Sequence, residues 1–193
     1  MPTLSTLLPT SSFPPQVPIL ETARLRLRGY LLADFADWVA MWQEPDYYRY
    51  LSPEPLPAEE IWTKMLRAIG HWTLLGYGFW AVEEKATGQF IGAVGFSDFK
   101  RDLEPPLGDA PEMGWVLAPR AHGQGYASEA VTAALAWGES YFGPVRTVCI
   151  IDPENQASLR VAAKFGYRPY AHVTYKEKPM VLLERTSEGP VSQ

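Results

Sequence analysis

Three stretches of this chain hold residue types that could do chemistry. The first is a loop, Arg120-Ala121-His122-Gly123-Gln124-Gly125-Tyr126-Ala127, placed between an alternating run and a helical pattern. Gly123 and Gly125 let the backbone approach a ligand closely. The helix that follows offers free N–H groups and a positive dipole end, the combination that holds a phosphate. Two glycines before a helix also occur in plain tight turns, so the loop alone leaves binding and structure evenly matched. The second stretch is Asn155-x-x-Ser158. Asn155 can cap a short helix, which leaves the Ser158 hydroxyl in its first turn. The third is Glu112, an acid that opens the run Glu112-Met113-Gly114-Trp115-Val116-Leu117. Strand parity places Glu112 with Gly114 and Val116 toward one face of a sheet, where it is a candidate general base or simply a solvated strand end.

The elements around these residues read as a mixed α and β chain. Leu25 and Leu27 alternate with Arg24, Arg26 and Arg28 in a half-buried strand, and the arginines read as its solvated face. Asp34 can cap a helix with inner residues Phe35, Trp38, Val39 and Trp42, which Pro45 should end. Tyr47, Tyr48 and Tyr50 follow in a turn-rich link, as core or as pocket wall. Ile61, Met65, Ile69 and Trp72 mark a second helix, ending by Gly76. Strands at 78–83 and 89–96 flank the turn Lys85-Ala86-Thr87-Gly88, which makes a hairpin. Residues 97–110 form an acidic loop that could attract a cation, although such runs are usually only solvated. The helix after the glycine loop should reach Tyr141. Val145 to Ile151 is a buried strand, Asn155 to Lys164 a short helix, and 170–175 and 178–183 the last strands.

The order of these pieces resembles the GNAT N-acetyltransferases, in particular the RimJ/RimL-like branch that acetylates ribosomal-protein N-termini. Arg120-x-x-Gly123-x-Gly125 is similar to that family's acetyl-CoA loop, Arg/Gln-x-x-Gly-x-Gly/Ala. Ala127-Ser128-Glu129-Ala130, the Arg-Leu-x-Leu-Arg opening, and Asn155-x-x-Ser158 with Lys164-Phe165-Gly166-Tyr167 also match. The likeness spans about residues 19–185. It implies an α/β fold, α+β by layer: a mostly antiparallel mixed sheet of about seven strands, helices on both faces, splayed at the acetyl-CoA site. It implies that backbone groups of Val116 and Ala118, with Leu117 between them, hold the pantetheine arm. The amides of Gly123, Gln124, Gly125, Tyr126 and Ala127 would hold the pyrophosphate. Arg120 would lie near that charge, and His122 could assist or be an exposed structural residue. Asn155 would touch CoA, and Ser158 would sit near the thiol as a proton donor. Tyr167 and Tyr170 are weaker acid candidates that fit the core better. Glu129 fits a dipole-complementing role in its first helical turn.

The expected reaction moves an acetyl group from acetyl-CoA to a primary amine, with a protein or peptide N-terminus among the acceptors and no metal. A dinucleotide-binding oxidoreductase is the rival reading of Gly123-x-Gly125-x-x-Ser128. Its third position is Ser, however, and the strands ahead of it form a hairpin instead of a βαβ unit. A non-catalytic CoA-binding module on the same fold also stays open. Composition narrows the classes further. A net charge of −5 argues against general nucleic-acid binding. Cys149 is the only cysteine, so intrachain disulfides and cysteine metal clusters are excluded; its apolar run suggests a buried thiol. No apolar run approaches a membrane span, and the start of the chain lacks the pattern of a signal peptide, so the cytoplasm is the expected location. Residues 1–18 read as a flexible Pro-rich arm, 19–185 as one domain and 186–193 as a tail. Monomer and homodimer fit equally.

Overall fold

The computed structural model describes residues 16–186. The chain runs β1 (Leu20–Glu21), β2 (Leu25–Arg28), α1 (Asp34–Met41), α2 (Pro45–Tyr48), α3 (Ala58–Leu75), β3 (Phe79–Glu84), β4 (Gln89–Ser97) and β5 (Glu112–Leu117). It continues through α4 (Tyr126–Phe142), β6 (Arg146–Ile151), α5 (Gln156–Lys164), β7 (Arg168–Tyr175) and β8 (Lys178–Thr186). The eight strands form one sheet in the order β1-β2-β3-β4-β5-β6-β8-β7. The expected seven become eight because Thr22 to Arg24 turn the first run back on itself. Thr22 N–H donates to Leu25 O at 2.9 Å, and Leu20 then pairs with Leu27.

Every strand pair is antiparallel except β5 with β6, which run parallel and meet in register at a single pair, Glu112 with Val148. Val148 N–H donates to Pro111 O at 3.1 Å just before that point. Beyond it the two strands diverge, and the sheet opens between them. On its other side β5 pairs with β4 along its whole length, from Glu112 opposite Ser97 to Leu117 opposite Gly92. Gly92 sits at φ 144°, and a Cβ there would lie 2.2 Å from Val116 O. Only glycine lets β4 come that close, so β5 stays on β4 while β6 parts from it.

Two apolar clusters clothe the sheet. Trp80, Phe96 and Met113 pack with Ala130, Val131 and Ala134 of α4. Phe90 and Ala81 pack with Trp38 and Met41 of α1 and with Ile61 and Met65 of α3. The i, i+4 spacing of Ile61 and Met65 buries one stripe of α3. The helix stops at Gly76, whose φ of 73° is left-handed.

Several local expectations change. Asp34 does not cap α1: the N-cap is Ala33, with no side-chain bond. The Asp34 carboxylate instead takes both Arg28 guanidinium N–H groups at 2.8 Å and the Leu31 amide at 2.8 Å. A buried bidentate pair offers it more than one capping bond would. Arg28 is therefore no solvated residue; its guanidinium also reaches Glu83 at 2.7 Å. Pro45 opens α2 at a position where a missing N–H costs nothing, and α1 has already ended. Of the N-terminal arm, residues 1–15 lie outside the described residues. Its last part is docked: Pro18 O accepts the Trp80 indole N–H at 2.8 Å, and Val17 packs on the core. Thr186 belongs to β8, and the rest of the expected tail lies outside the described residues.

Candidate active-site cleft

The divergence of β5 and β6 forms one wall of a cleft of about 480 Å³. It is lined by β5, the end of β6 with the start of α5, the end of α1 with the α1–α3 link, the first turns of α3, the start of β3, the loop after β4, and the β7–β8 hairpin. Glu112, Gly114, Val116, Asn155 and Ser158 all line it.

Backbone parity along β5 decides what the gap offers. Ala118 N–H donates to Ile91 O on β4 at 2.8 Å. In an antiparallel pair this direction alternates. Glu112, Gly114, Val116 and Ala118 therefore spend their backbone groups on β4, while Met113, Trp115 and Leu117 turn theirs toward β6. The expectation that Val116 and Ala118 supply backbone groups to a ligand is thus corrected by one residue. Trp115 and Leu117 are the positions whose amides face the opening. Leu117 O is already matched by His122 Nε2 at 2.9 Å, so His122 braces the strand end from an exposed position.

At the far end of β5, Pro119–Ala121 form one 3-10 turn and the glycine loop leads into α4. Gly123 and Gly125 take φ values of 73° and 79°. Gly125 is the N-cap of α4 and has no side chain to satisfy the first turn, so the amides there have no capping partner among the described residues. The loop is held from beneath. Gln124 O accepts Arg24 Nη1–H at 2.9 Å, and the Tyr126 hydroxyl donates to Glu84 at 2.5 Å. Arg120 is exposed beside the loop. Its guanidinium donates to Phe90 O at 3.0 Å, turned back onto β4.

Glu129 anchors the helix start. Its carboxylate accepts the Thr22 hydroxyl at 2.6 Å, the Arg24 amide at 2.8 Å and Arg24 Nε–H at 2.7 Å. Burial pushes its pKa up, but these donors outweigh burial, and the net value lies below the ordinary 4.5. A folded value below the unfolded one stabilises the fold above about pH 4.5 and loses that contribution as pH falls through the folded value. Glu129→Gln is therefore expected to flatten the acid limb of a melting-temperature profile taken between about pH 3 and pH 7. Parallel limbs for variant and parent would contradict the anchor.

Asn155 Oδ1 accepts the Ser158 amide at 3.0 Å, so the expected cap is made. Glu112 is not the solvated strand end that one of its two readings expected. Both its oxygens are taken by Arg101, at 2.6 and 2.8 Å, and its side chain is only 8% exposed. Neither Tyr167 nor Tyr170 lines the cleft; Tyr167 is buried with its hydroxyl against Thr147 at 2.8 Å. Cys149 reaches the cleft wall but is buried, and burial, with the Glu112 charge nearby, pushes its thiol well up. The loop after β4 brings Phe99 and Arg101 to the cleft and none of its acids. Sequence reasoning missed Trp42, Lys64, Arg101 and Tyr175. The alternation of Phe99 with Arg101 inside a loop carries no periodic signal by which to find them.

The chain matches the family profile of the GNAT acetyltransferase domain over residues 24–168, more than half its length. It is 32% identical over 174 residues to the uncharacterized protein YkkB of Bacillus subtilis, covering 87% of this chain and 95% of the relative. A solved structure from Bordetella pertussis assigned to the GNAT acetyltransferases superposes with a TM-score of 0.77 at 30% identity, covering 88% of this chain and 99% of that one. RimL, a ribosomal L7/L12 alpha-N-protein acetyltransferase solved with coenzyme A, superposes with a TM-score of 0.69 over 88% and 98% of the two chains. Its 18% identity speaks for the fold alone.

Proposed function

Because the chain belongs to the GNAT acetyltransferase family, we propose that it transfers an acetyl group from acetyl-CoA to a primary amine held in the cleft. The observation that carries this reading is the single-pair junction of β5 and β6 leading to an uncapped α4 N-terminus. A gap lined by free strand amides suits an arm of amide groups. A turn of uncapped N–H groups at its far end suits a pyrophosphate.

Acetyl-CoA supplies an activated thioester, so the chain has mainly to align two reactants and manage charge. The amides of Gly123 to Ala127, with the α4 dipole, hold the pyrophosphate. The N–H groups of Trp115 and Leu117 hold the arm and can polarise the thioester carbonyl. The amine nitrogen attacks the carbonyl carbon, the C–S bond breaks, and the nitrogen sheds a proton. Ser158, in the first turn of α5, would relay a proton to the departing thiolate and recover one from the water that takes the amine's proton, aided by that helix's positive end. With both oxygens on Arg101, Glu112 acts in this reading as the counter-ion that holds Arg101 in place, and cleft water accepts the amine's proton.

Thermal shift with acetyl-CoA, CoA, NAD and NADP in parallel tests the reading. A ligand at roughly 100 times its dissociation constant adds about 2.7 kcal/mol, a visible shift. The expected result is stabilisation by acetyl-CoA and CoA and none by the dinucleotides. Stabilisation by NAD alone would overturn it.

A further inference from the structure

The end of the cleft opposite the glycine loop is cationic. Glu112 and Leu117 are five residues apart on β5, or roughly 16 Å at strand rise. A charge beside Glu112 is therefore too distant to serve the phosphates at the loop. Arg101 pairs with Glu112 there, and its guanidinium lies 5.0 Å from the Phe99 ring centroid. Arg67 stacks on the same ring at 4.6 Å. Lys64, one helical turn before Arg67 on α3, lines the cleft with its Nζ 5.4 Å from the Trp42 ring. Neither Lys64 nor Arg67 has an ion-pair partner among the described residues. Glu60 lies one turn before Lys64 and lines the cleft too, but makes no such contact.

The cleft lining holds Lys64, Arg101, Lys176 and Lys178 with Glu60, Glu112 and Asp152, and Arg67 lies behind the Phe99 ring; since Glu112 is spent on Arg101, the cations around Lys64 repel one another. Burial and the neighbouring charges of Arg67 and Lys176 lower the pKa of Lys64; burial and Arg101 lower that of Arg67. Such a cluster costs stability unless an anion joins it. The indole N–H of Trp42 is buried and has no hydrogen-bond acceptor among the described residues. An anion at Lys64 would supply the missing charge.

We propose that the acceptor amine carries a carboxylate of its own, bound at Lys64 with Arg67 and Arg101 beside it, so that the substrate is an amino acid or a peptide with an acidic group next to its amine. This rests on the acetyl-transfer reading and narrows it. A polyamine, which would bring more positive charge to this end, is the wrong partner.

The test is steady-state release of CoA thiol with matched acceptors: an amino acid against its carboxamide, a peptide beginning Ser-Glu against one beginning Ser-Gln, and spermidine. Calorimetric binding of acetyl-CoA is measured separately for every protein used. The expected result is a kcat/KM roughly tenfold to a hundredfold higher for the carboxylate member of at least one pair. The pair that shows the preference tells a free amino acid from a peptide side chain. Lys64→Gln should bring the ratio near one, and Lys64→Arg should restore part of it. Equal rates within both pairs, or a preference for spermidine, with acetyl-CoA binding intact, would overturn the carboxylate site while leaving acetyl transfer standing. Loss of acetyl-CoA binding in the parent protein would remove both.

Discussion

Gly125→Val is expected to weaken acetyl-CoA binding by roughly 30-fold while α4 stays folded. Gly125 holds φ at 79°, and a new Cβ would meet Arg24 Nη2 at 3.6 Å. Left-handed backbone costs an L-residue about 1–2 kcal/mol, and a β-branched one more. The variant can keep the loop and bear that strain, or relax the loop and turn its amides away from the phosphate. In either case about 2 kcal/mol of binding is lost, near the 30-fold stated. The helix itself is held by Ala130, Val131 and Ala134 against the sheet, all fully buried. Its circular dichroism should therefore match the parent's. Titration calorimetry with acetyl-CoA and with CoA checks the effect. Unchanged affinity would mean that the loop does not hold the phosphates.

The second large effect is expected on stability. Arg101→Met leaves the Glu112 carboxylate nearly buried without its partner. Breaking a fully buried pair costs about 3–5 kcal/mol. The Arg101 side chain is 16% exposed, so about 2–4 kcal/mol is the better figure here. For a chain of this size that amounts to roughly 10 °C in melting temperature. Glu112→Gln separates the two roles Glu112 could have. As a counter-ion, its loss lowers the melting temperature and leaves kcat within about tenfold. As a general base, its loss lowers kcat by about 10²–10⁴. We expect the first outcome, and a kcat loss of the second size in a well-folded protein would return Glu112 to the base's role.

Much of this framework was legible because it is local. The turn at Lys85 to Gly88, the stripe of Ile61 and Met65, the glycine loop and the Asn155 cap are each written within a few residues. Only two residues of β1 pair, too few for any alternation to show, so it merged with β2 and the strand count came out one short. Asp34 looked like a cap because Arg28, six residues earlier, counted as a surface strand residue. The candidate cleft was half readable. Ser158 and the glycine loop carry motifs, but Arg101 reaches Glu112 from an irregular loop, and Lys64 shows no more than a polar position on an amphipathic helix. Which β5 amides face the gap depends on the register with β4, a long-range fact. The single bond from Ala118 to Ile91 moved that assignment from Val116 and Ala118 to Trp115 and Leu117.

Acetyl transfer itself is tested most directly by mass spectrometry of an amine incubated with the purified protein and acetyl-CoA, with released thiol counted in the same tube. A peptide beginning Ser-Glu serves as the acceptor, beside an amino acid and a neutral amine. The expected result is one acetyl group on the amine nitrogen for each thiol released, lost in Gly125→Val at limiting acetyl-CoA. Thiol release with no acetylated amine, or acetyl-CoA bound but never consumed with any acceptor, would contradict it and leave a CoA-binding module in place of a transferase.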